Sequence, residues 1–352
     1  MKQIEVNRAD AGQRLDKYLK RVFPEMGSSF LYKMLRKKNI TLNTKKASGS
    51  ESVKEGDLIQ CFFSDETFLK FSGQVQTEDG IQNALVPLNS SNTEYENAYR
   101  KLKGITVVYE DEHILLLNKP AGILSQKAKK DDLSLNEWML GYLLTGDKIT
   151  LADLTHFKPS VCNRLDRNTS GLVICGKTLL ATRMISRMLK DRSLHKYYRT
   201  YVHGRMEGNE TLTAWHKKDS LNNQAEIIFQ ITPKDKDAYD EIITTYHALE
   251  SKTQYSYLEI ELVTGKTHQI RAHLSAYGHP IVGDKKYLQL YRKNTGKMIY
   301  PVTGQDYPNF QLLHAYRLEF PVMTGEWEYL SGKEFICKEP KEFQVFRTKF
   351  FK

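Results

Sequence analysis

The sequence predicts an α+β protein in which a small basic module precedes a larger, strand-rich domain. Three observations support this prediction. Short helical patterns and the apolar runs 40–42 and 58–62 fill the start of the chain, a stretch with little apolar periodicity follows, and from residue 104 apolar runs alternate with turns. We therefore assign residues 1–62 to the module, 63–103 to a linker and 104–352 to the large domain.

Composition and charge point to a nucleic-acid partner. The 352 residues include 52 Lys and Arg against 42 Asp and Glu, a net charge of +10. This charge suits nucleic acid first and an anionic membrane surface second. No run resembles a signal peptide or is long enough to span a bilayer, and the four cysteines form no C-x-x-C pair. We expect a soluble, cytoplasmic protein with reduced thiols and no need for more than a monomer.

Two short helices are predicted in the N-terminal module. Apolar residues recur with helical spacing between Leu15 and Val22. A second helix can be capped by Ser28 or Ser29 and ends in three cations. These cations can face phosphates, with a solvated charge run as the alternative, and they are Arg36, Lys37 and Lys38.

Residues 63–103 are predicted to form a mostly extended linker. They contain Gly73, Gly80, Pro87 and the polar run 89–92, with few periodic apolar positions. Such a composition is typical of a connection between two folded parts.

Strands and one amphipathic helix are predicted in the large domain. Residues 114–117 form a short apolar run, and residues 255–262 alternate polar and apolar side chains, so both ranges predict strands. Leu180, Met184 and Met188 recur every four residues, which predicts a helix with these three side chains in the core.

The segment 163–171, Asn-Arg-Leu-Asp-Arg-Asn-Thr-Ser-Gly, is the most informative in the chain. It places Asp166 between Arg164 and Arg167, and the residues after it favour a turn between two apolar stretches. Asp166 is therefore expected at the tip of a strand-to-strand connection, where it can face a groove. Nearby cations favour its ionised form, which suits a nucleophile or base acting on an anionic polymer. In isolation the segment could also be a plain surface turn.

A second segment, 264–274, predicts a helix that carries a functional arginine. Gly265 supplies a turn, Thr267 can cap the helix and Gly278 can end it. Arg271 projects beside apolar neighbours, and an arginine in such a place seeks a carboxylate or phosphate. The obvious carboxylate is Asp166, and an ordinary surface arginine is the alternative.

Two other motifs are rejected as functional sites. His268, His273 and His279 are spaced by five and six residues, whereas ligands on one helix face need three or four. Residues 171–178 match the phosphate-binding pattern G-x-x-x-x-G-K-[ST], but the middle residues Leu, Val, Ile and Cys favour a buried strand.

Together these segments resemble the RluA family of RNA pseudouridine synthases. The family signature around the catalytic aspartate, His-Arg-Leu-Asp-x-x-Thr-Ser-Gly, is matched by residues 163–171, except that Asn163 replaces the usual His. The Lys-x-Tyr element corresponds to residues 196–198, and Thr-Gly-Arg-Thr-His-Gln-Ile-Arg to residues 264–271 with Lys266 in place of Arg. Further segments that match in order and spacing are Asn118 to Gly122, Gly278 to Pro280, Gly283-Asp284, and Leu313 to Ala315.

This resemblance covers roughly residues 104 to 322. Residues 12 to 62 resemble the α-L RNA-binding domain named after a small-subunit ribosomal protein, a common companion in this family. The family resemblance implies a mixed, mainly antiparallel catalytic sheet, isomerisation of uridine in RNA to pseudouridine, and no cofactor.

The resemblance also implies roles for particular residues. Asp166 would act at the ribose, Arg271 would pair with it, and Tyr198 would lie against the uracil or take its C5 proton. The target uridine must be flipped out or already unpaired. RNA contacts are expected, besides the three cations of the module, from Arg164, Arg167, Lys196 and Lys266.

Two readings compete with an RNA-modifying enzyme. A non-catalytic RNA-binding or ribosome-assembly factor would share the basic surfaces but would not need Asp166, Tyr198 and Arg271. A glycosidase-like hydrolase would need a second carboxylate near Asp166, and the nearest downstream acid is Asp191. The α-L module favours ribosomal RNA over transfer RNA as the partner.

Overall fold

The structure, a computed structural model, describes residues 2–6, 10–72, 75–77, 80–82, 88–219, 222–233, 236–297 and 308–351. The chain divides into two compact units. The first unit comprises Met1–Arg100 and Trp138–Pro159, and the second comprises Lys101–Glu137 and Ser160–Lys352.

The first unit combines helices with a small sheet, and two of its helices extend slightly past its borders. Its elements are β1 (Lys2–Glu5), α1 (Leu15–Val22), α2 (Ser28–Arg36), β2 (Ile40–Leu42), β3 (Lys45–Lys46), β4 (Leu58–Cys61), α3 (Asp65–Ser72), β5 (Val75–Thr77), β6 (Gly80–Gln82), α4 (Leu88–Lys101), α5 (Leu135–Thr145) and α6 (Asp153–His156).

The helices α1 and α2 pack on a four-stranded antiparallel sheet of order β1-β4-β2-β3. Leu15, Leu19, Leu31 and Leu35 are fully or almost fully buried in the shared core. Both predicted helices and both predicted strands are confirmed. The predicted cap of α2 is wrong, because Gly27 occupies the N-cap and no serine side chain bonds the helix end.

The prediction of extended backbone between residues 63 and 103 is wrong over α3 and α4. In α4, Tyr95 and Ala98 are buried, and the ring of Tyr99 lies 5.4 Å from that of Trp138 in α5. Tertiary contact with a distant helix therefore stabilises a segment with weak local periodicity. Gly73 and Pro87, which suggested the linker, lie outside the described residues. The division into module, linker and catalytic domain stays a prediction.

The second unit is built on one large sheet. Its elements are β7 (Thr106–Glu110), β8 (Ile114–Lys119), β9 (Ser160–Val161), β10 (Ser170–Gly176), α7 (Leu179–Asp191), β11 (His195–His203), β12 (Asn209–Asp219), β13 (Gln224–Ile228), β14 (Asp240–Ser251), β15 (Tyr255–Leu262), α8 (Gln269–Ala276), α9 (Lys285–Thr295), β16 (Leu313–Glu319), a 3₁₀ helix (Gly325–Leu330), β17 (Glu334–Ile336) and α10 (Lys341–Phe350).

The strand order is β13-β12-β14-β15-β11-β16-β10-β8-β7, with β17 beside β16 and β9 beside β10. Neighbours are antiparallel except β10 and β16, which are parallel. The predicted mixed, mainly antiparallel sheet is thus confirmed. The strands β10, β16 and β11 lie side by side at its centre.

Several local predictions can be compared with this sheet. The runs 114–117 and 255–262 are strands, and the phosphate-loop look-alike at 171–178 consists mostly of the fully buried strand β10. The helix α7 is present, but Leu180 is 47% exposed, so its predicted place in the core is wrong. The buried face of α7 runs through Ala181, Ile185 and Met188. Met188 is therefore buried as predicted, and Met184 is partly buried against the same core.

The predicted cap of α8 by Thr267 is also wrong. The helix begins at Gln269, and the N-cap is His268, whose backbone is left-handed with φ of +55°. The predicted end is correct, since Gly278 follows the last turn with φ of +104°. Among the described helices, none is both long and apolar enough to cross a membrane.

Candidate active site

Asp166 lies in the turn between β9 and β10, as the sequence predicted. The backbone of this turn is fixed locally, because the amide of Thr169 donates to the carbonyl of Asp166 at 3.0 Å. Both the amide and the carbonyl of Leu165 bond the hydroxyl of Ser125, each at 2.9 Å. The side chain of Asp166 is 26% exposed. The carboxylate is therefore held in place yet remains open to a ligand.

A buried lysine bonds the backbone of the same turn. Lys119, at the end of β8, is 0% exposed, and its ammonium donates to the carbonyls of Pro120, Ile123 and Arg167 at 2.9–3.1 Å. Burial lowers the pKa of Lys119 to about 7, and the negative charge of Asp166 opposes this shift. Three carbonyl acceptors favour the ammonium, since a neutral amine has only two hydrogens to donate. No role was predicted for Lys119 beyond its place in a segment that matches the family.

Arg271 joins two carboxylates from distant parts of the chain. Its Nη1 donates to Oδ2 of Asp166 at 2.8 Å, while Nε and Nη2 donate to Oδ2 and Oδ1 of Asp284 at 2.6 and 3.0 Å. Burial alone would lower the pKa of Arg271, but the hydrogen bonds and charges of the two carboxylates raise it above its ordinary value. The expected pairing of Arg271 with Asp166 is present.

Asp284 is the partner that sequence reasoning missed. It is 1% exposed, uses both oxygens on Arg271, and also accepts from the amide of Tyr287 as the N-cap of α9. The only sequence indication was its place in a Gly-Asp pair that matches the family. Because Asp284 is buried against a fixed guanidinium, it does not provide the open second carboxylate that a glycosidase requires.

Two adjoining cavities meet at Asp166. The smaller cavity, of about 60 Å³, is lined by Asp166, Tyr198, His268 and Arg271 among others. The larger cavity, of about 1010 Å³, also reaches Asp166, Tyr198 and His268. Tyr198 comes from the central strand β11 and is buried, and burial together with the charge of Asp166 raises its pKa. The neutral phenol is therefore the form that faces the cavity.

Among the residues that the structure describes, eight cations and one acid line the larger cavity. Four of the cations were predicted to bind RNA: Arg164, Arg167, Lys196 and Lys266. Arg164 and Arg167 are exposed, Lys196 is buried, and Lys266 pairs with Asp240 at 2.7 Å. The other four were missed, because they come from separate segments that only the fold brings together: Lys127, Lys190, Arg192 and Lys218.

The three cations predicted in the N-terminal module belong to the first unit. Arg36 is the last residue of α2, and Lys37 and Lys38 follow it. All three are exposed. Lys38 has a left-handed backbone with φ of +60°.

The departure from the family signature has a structural role. Oδ1 of Asn163 accepts a hydrogen bond from the amide of Ile174 in β10 at 2.8 Å. The amide of Cys162 donates to the carbonyl of the same residue at 2.8 Å. Asn163 thus holds the start of the Asp166 turn against β10.

The three histidines rejected as metal ligands have separate partners. His268 bonds the hydroxyl of Tyr287, His273 bonds Thr244, and His279 bonds a backbone carbonyl. Within the described residues no group of three or more His, Cys, Asp or Glu side chains could hold a metal ion.

Comparisons with known proteins agree with this geometry. The model of the RNA pseudouridylate synthase family matches residues 113–276. An uncharacterized RNA pseudouridine synthase of Mycoplasma genitalium is 29% identical over 332 residues, which cover 93% of this chain and 92% of that protein. Ribosomal large subunit pseudouridine synthase C of Rickettsia felis is 32% identical over 89% of each chain.

A solved structure shares the fold. Human RNA pseudouridylate synthase domain containing 4 superposes with a TM-score of 0.53 at 19% identity, covering 75% of this chain and 98% of its own. The sequence relatives span nearly the whole chain at a level that establishes common membership. The chain therefore belongs to the RluA family of RNA pseudouridine synthases.

Proposed function

We propose that this RNA pseudouridine synthase isomerises a uridine of large-subunit ribosomal RNA and that Asp166 carries the reaction. The observation that supports the role of Asp166 most directly is its position. It is the one acid among the described residues that line a basic cavity, and it pairs with a buried arginine. The name of the Rickettsia relative favours ribosomal over transfer RNA.

The reaction breaks the N1–C1′ bond of uridine, turns the base and joins C5 to C1′. It needs a carboxylate close to the sugar, which either attacks C1′ or removes a proton from C2′. Both routes fit a partly exposed carboxylate that has one oxygen on Arg271 and, among the described residues, no hydrogen-bond donor on the other, which can approach the ribose. Arg271 would keep Asp166 ionised and oriented in either route.

Tyr198 would lie against the uracil ring. It lines both cavities beside Asp166, and its raised pKa favours the neutral phenol. A neutral phenol is a poor proton acceptor, so packing against the base is better supported than removal of the C5 proton. The aromatic neighbours of Tyr198 on β11 are used elsewhere, since Tyr197 stacks with Arg317 and Tyr201 with Tyr257.

The cations around the larger cavity would hold the RNA backbone while the target uridine is extruded. Arg164 and Arg167 flank Asp166 and are exposed, so they can contact phosphates or fill the vacated stack. Exchange of either for Ala should weaken RNA binding and flatten its dependence on salt between about 50 and 200 mM. Unchanged affinity and salt slope in both variants would remove them from the RNA site.

A non-catalytic RNA-binding factor is the competing proposal. It would use the same basic cavity and the α-L-like module, with Arg36, Lys37 and Lys38 as further phosphate contacts. It would give no function to the buried bridge from Asp166 through Arg271 to Asp284. We also propose a monomer that works in the cytoplasm without a cofactor.

The deciding experiment is tritium release from RNA that carries C5-tritiated uridine. Wild type should release tritium from large-subunit ribosomal RNA transcripts, and Asp166→Asn should release none while retaining RNA affinity. Absence of release by wild type from any cellular RNA pool would favour the binding factor. Release that persists in Asp166→Asn would exclude Asp166 from the chemistry.

A further inference from the structure

His268 lies at the proposed active site and has an unfavourable backbone conformation. Its Nε2 is 3.9 Å from Oδ2 of Asp166, and it lines both cavities that meet there. Its backbone is left-handed, with φ of +55° and ψ of +20°. This region is unfavourable for a residue other than glycine, and such residues cluster at functional sites.

The surrounding structure holds this conformation from both sides. Nε2 of His216 donates to the carbonyl of Thr267 at 2.9 Å. On the other side, Oε1 of Gln269 accepts from the amide of Lys266 at 3.0 Å, and its Nε2 donates to the carbonyl of Ile243 at 3.0 Å. The placement of His268 is therefore fixed by its neighbours before any ligand binds.

The hydrogen bonds of Tyr287 determine which nitrogen of His268 carries the proton. The hydroxyl oxygen of Tyr287 accepts from the amide of Ala225 at 2.9 Å, so its hydrogen is free for Nδ1 of His268 at 3.1 Å. Burial raises the pKa of Tyr287 to about 12, which keeps this hydrogen in place. We therefore assign Nδ1 of His268 as the acceptor of this hydrogen and Nε2 as the nitrogen that carries the proton of the neutral ring.

Within the part of the chain that the structure describes, the protonated Nε2 has no hydrogen-bond acceptor. Over the ranges that the structure describes, its nearest carboxylate oxygen is Oδ2 of Asp166, too far for a hydrogen bond and already bonded to Arg271. Burial lowers the pKa of His268, more than the nearby charge of Asp166 raises it. The result is a neutral N–H donor directed at the space where the substrate of Asp166 would lie.

We propose that His268 is a further catalytic residue, whose Nε2–H donates to an oxygen of the extruded uridine on the side that faces Asp166. Tyr287 is its positioning residue, since it fixes the tautomer and also stacks with Arg271 at 5.1 Å. This inference rests on the proposed function of Asp166. A fixed neutral donor beside the carboxylate would hold the nucleotide and stabilise charge that develops on that oxygen.

The tautomer can be measured without substrate. In protein labelled with nitrogen-15 histidine, the ring signals that disappear in His268→Gln identify His268. Wild type should show a protonated Nε2 and an unprotonated Nδ1 near neutral pH, and Tyr287→Phe should abolish this preference. A protonated Nδ1 in wild type, or no change in Tyr287→Phe, would overturn the proposal independently of any activity.

The role of the donor is tested by single-turnover tritium release from the large-subunit ribosomal RNA transcript. His268→Phe keeps a ring but no donor and should slow release by about 10- to 100-fold. His268→Gln places an amide N–H near the position of Nε2 and should stay within about fivefold of wild type. His247→Phe, at an exposed position of β14, is the matched control and should not change the rate.

The possible outcomes distinguish the donor role of His268 from the catalytic role of Asp166. Normal release by His268→Phe, or equal loss in the Gln and Phe variants at unchanged thermal stability, would overturn the donor role while Asp166 remains in the mechanism. Failure of wild type to release tritium would remove the proposed function and this inference with it. Slower tritium release in His268→Phe but not in His268→Gln would support both the role of Asp166 and the role of His268.

Discussion

At the scale of single residues, the active site depends on the shape of one guanidinium. Arg271 makes three hydrogen bonds to two carboxylates that are not near each other in the sequence. Its rigid planar fork matches this arrangement, whereas a lysine ammonium is a point charge on a flexible stem. The orientation of Asp166, and not only its charge, therefore depends on arginine at this position.

We predict that Arg271→Lys lowers the single-turnover rate of tritium release by about 100-fold, because a misplacement of about 1 Å at the carboxylate has an effect of that size. RNA affinity should remain within about threefold, since Arg271 is buried and does not line the larger, basic cavity. Arg187→Lys, at a highly exposed position of α7, is the control. A rate close to wild type in Arg271→Lys would show that charge alone is sufficient.

At the scale of elements, the site depends on the parallel contact between β10 and β16. Ser170 and Gly171 pair with His314 and Ala315, and the hydroxyl of Ser170 bonds Nδ1 of His314 at 2.9 Å. Gly171 has φ of +111°, and a Cβ there would lie 2.6 Å from the backbone nitrogen of Ala315. Only glycine allows the strand that follows Asp166 to approach β16 this closely.

Gly171→Ala should lower the free energy of unfolding by about 2–4 kcal/mol, because the clash is with backbone that cannot rotate away. Gly278→Ala is the matched control. Its φ is similar, at +104°, but a Cβ there would meet nothing within 4 Å, so the cost should be about 1 kcal/mol. Urea unfolding measures both values, and equal losses would mean that φ alone matters at Gly171.

At the scale of the whole molecule, the second unit buries several neutral histidines. His203, His273 and His314 are each at most 5% exposed. Burial lowers the pKa of each to about 4 from the ordinary 6.5. The two nitrogens of His314 bond Ser170 and the carbonyl of Cys337, so protonation of this buried ring would reverse the donor in the bond to Ser170, beside the Asp166 turn.

We predict that the protein loses stability as the pH falls from about 6.5 towards 4. Over this range the unfolded chain takes up protons at these histidines and the folded chain does not, so the unfolded state gains. Each histidine should contribute a loss of about 2 kcal/mol at pH 5 relative to pH 7.5. Urea unfolding at the two pH values tests this. His314→Gln should make the free energy of unfolding depend less steeply on pH, whereas His247→Gln, at an exposed position, should not. Equal free energies of unfolding at the two pH values in wild type would contradict the prediction.

The family, the α+β class, several of the regular elements and the pairing of Asp166 with Arg271 could be predicted from the sequence. Asp166 could be found because turn residues between two apolar runs are a local pattern. The strands at 114–117 and 255–262 and both helices of the N-terminal module could be found for the same reason, since hydrophobic periodicity is written in consecutive residues.

Features that depend on residues distant in the chain could not be predicted and emerged from the folded structure. The helix α4 forms where local periodicity is weak, and it packs against Trp138. Asp284 acquires its role through Arg271, 13 residues away, and Lys119 bonds the carbonyl of Arg167, 48 residues away. The Nε2–H tautomer of His268 depends on Tyr287, whose hydroxyl is bonded by the amide of Ala225. Helix starts at Gly27 and His268 were mispredicted because a capping residue is selected by the backbone angle that the fold imposes, and neighbouring side chains do not encode that angle.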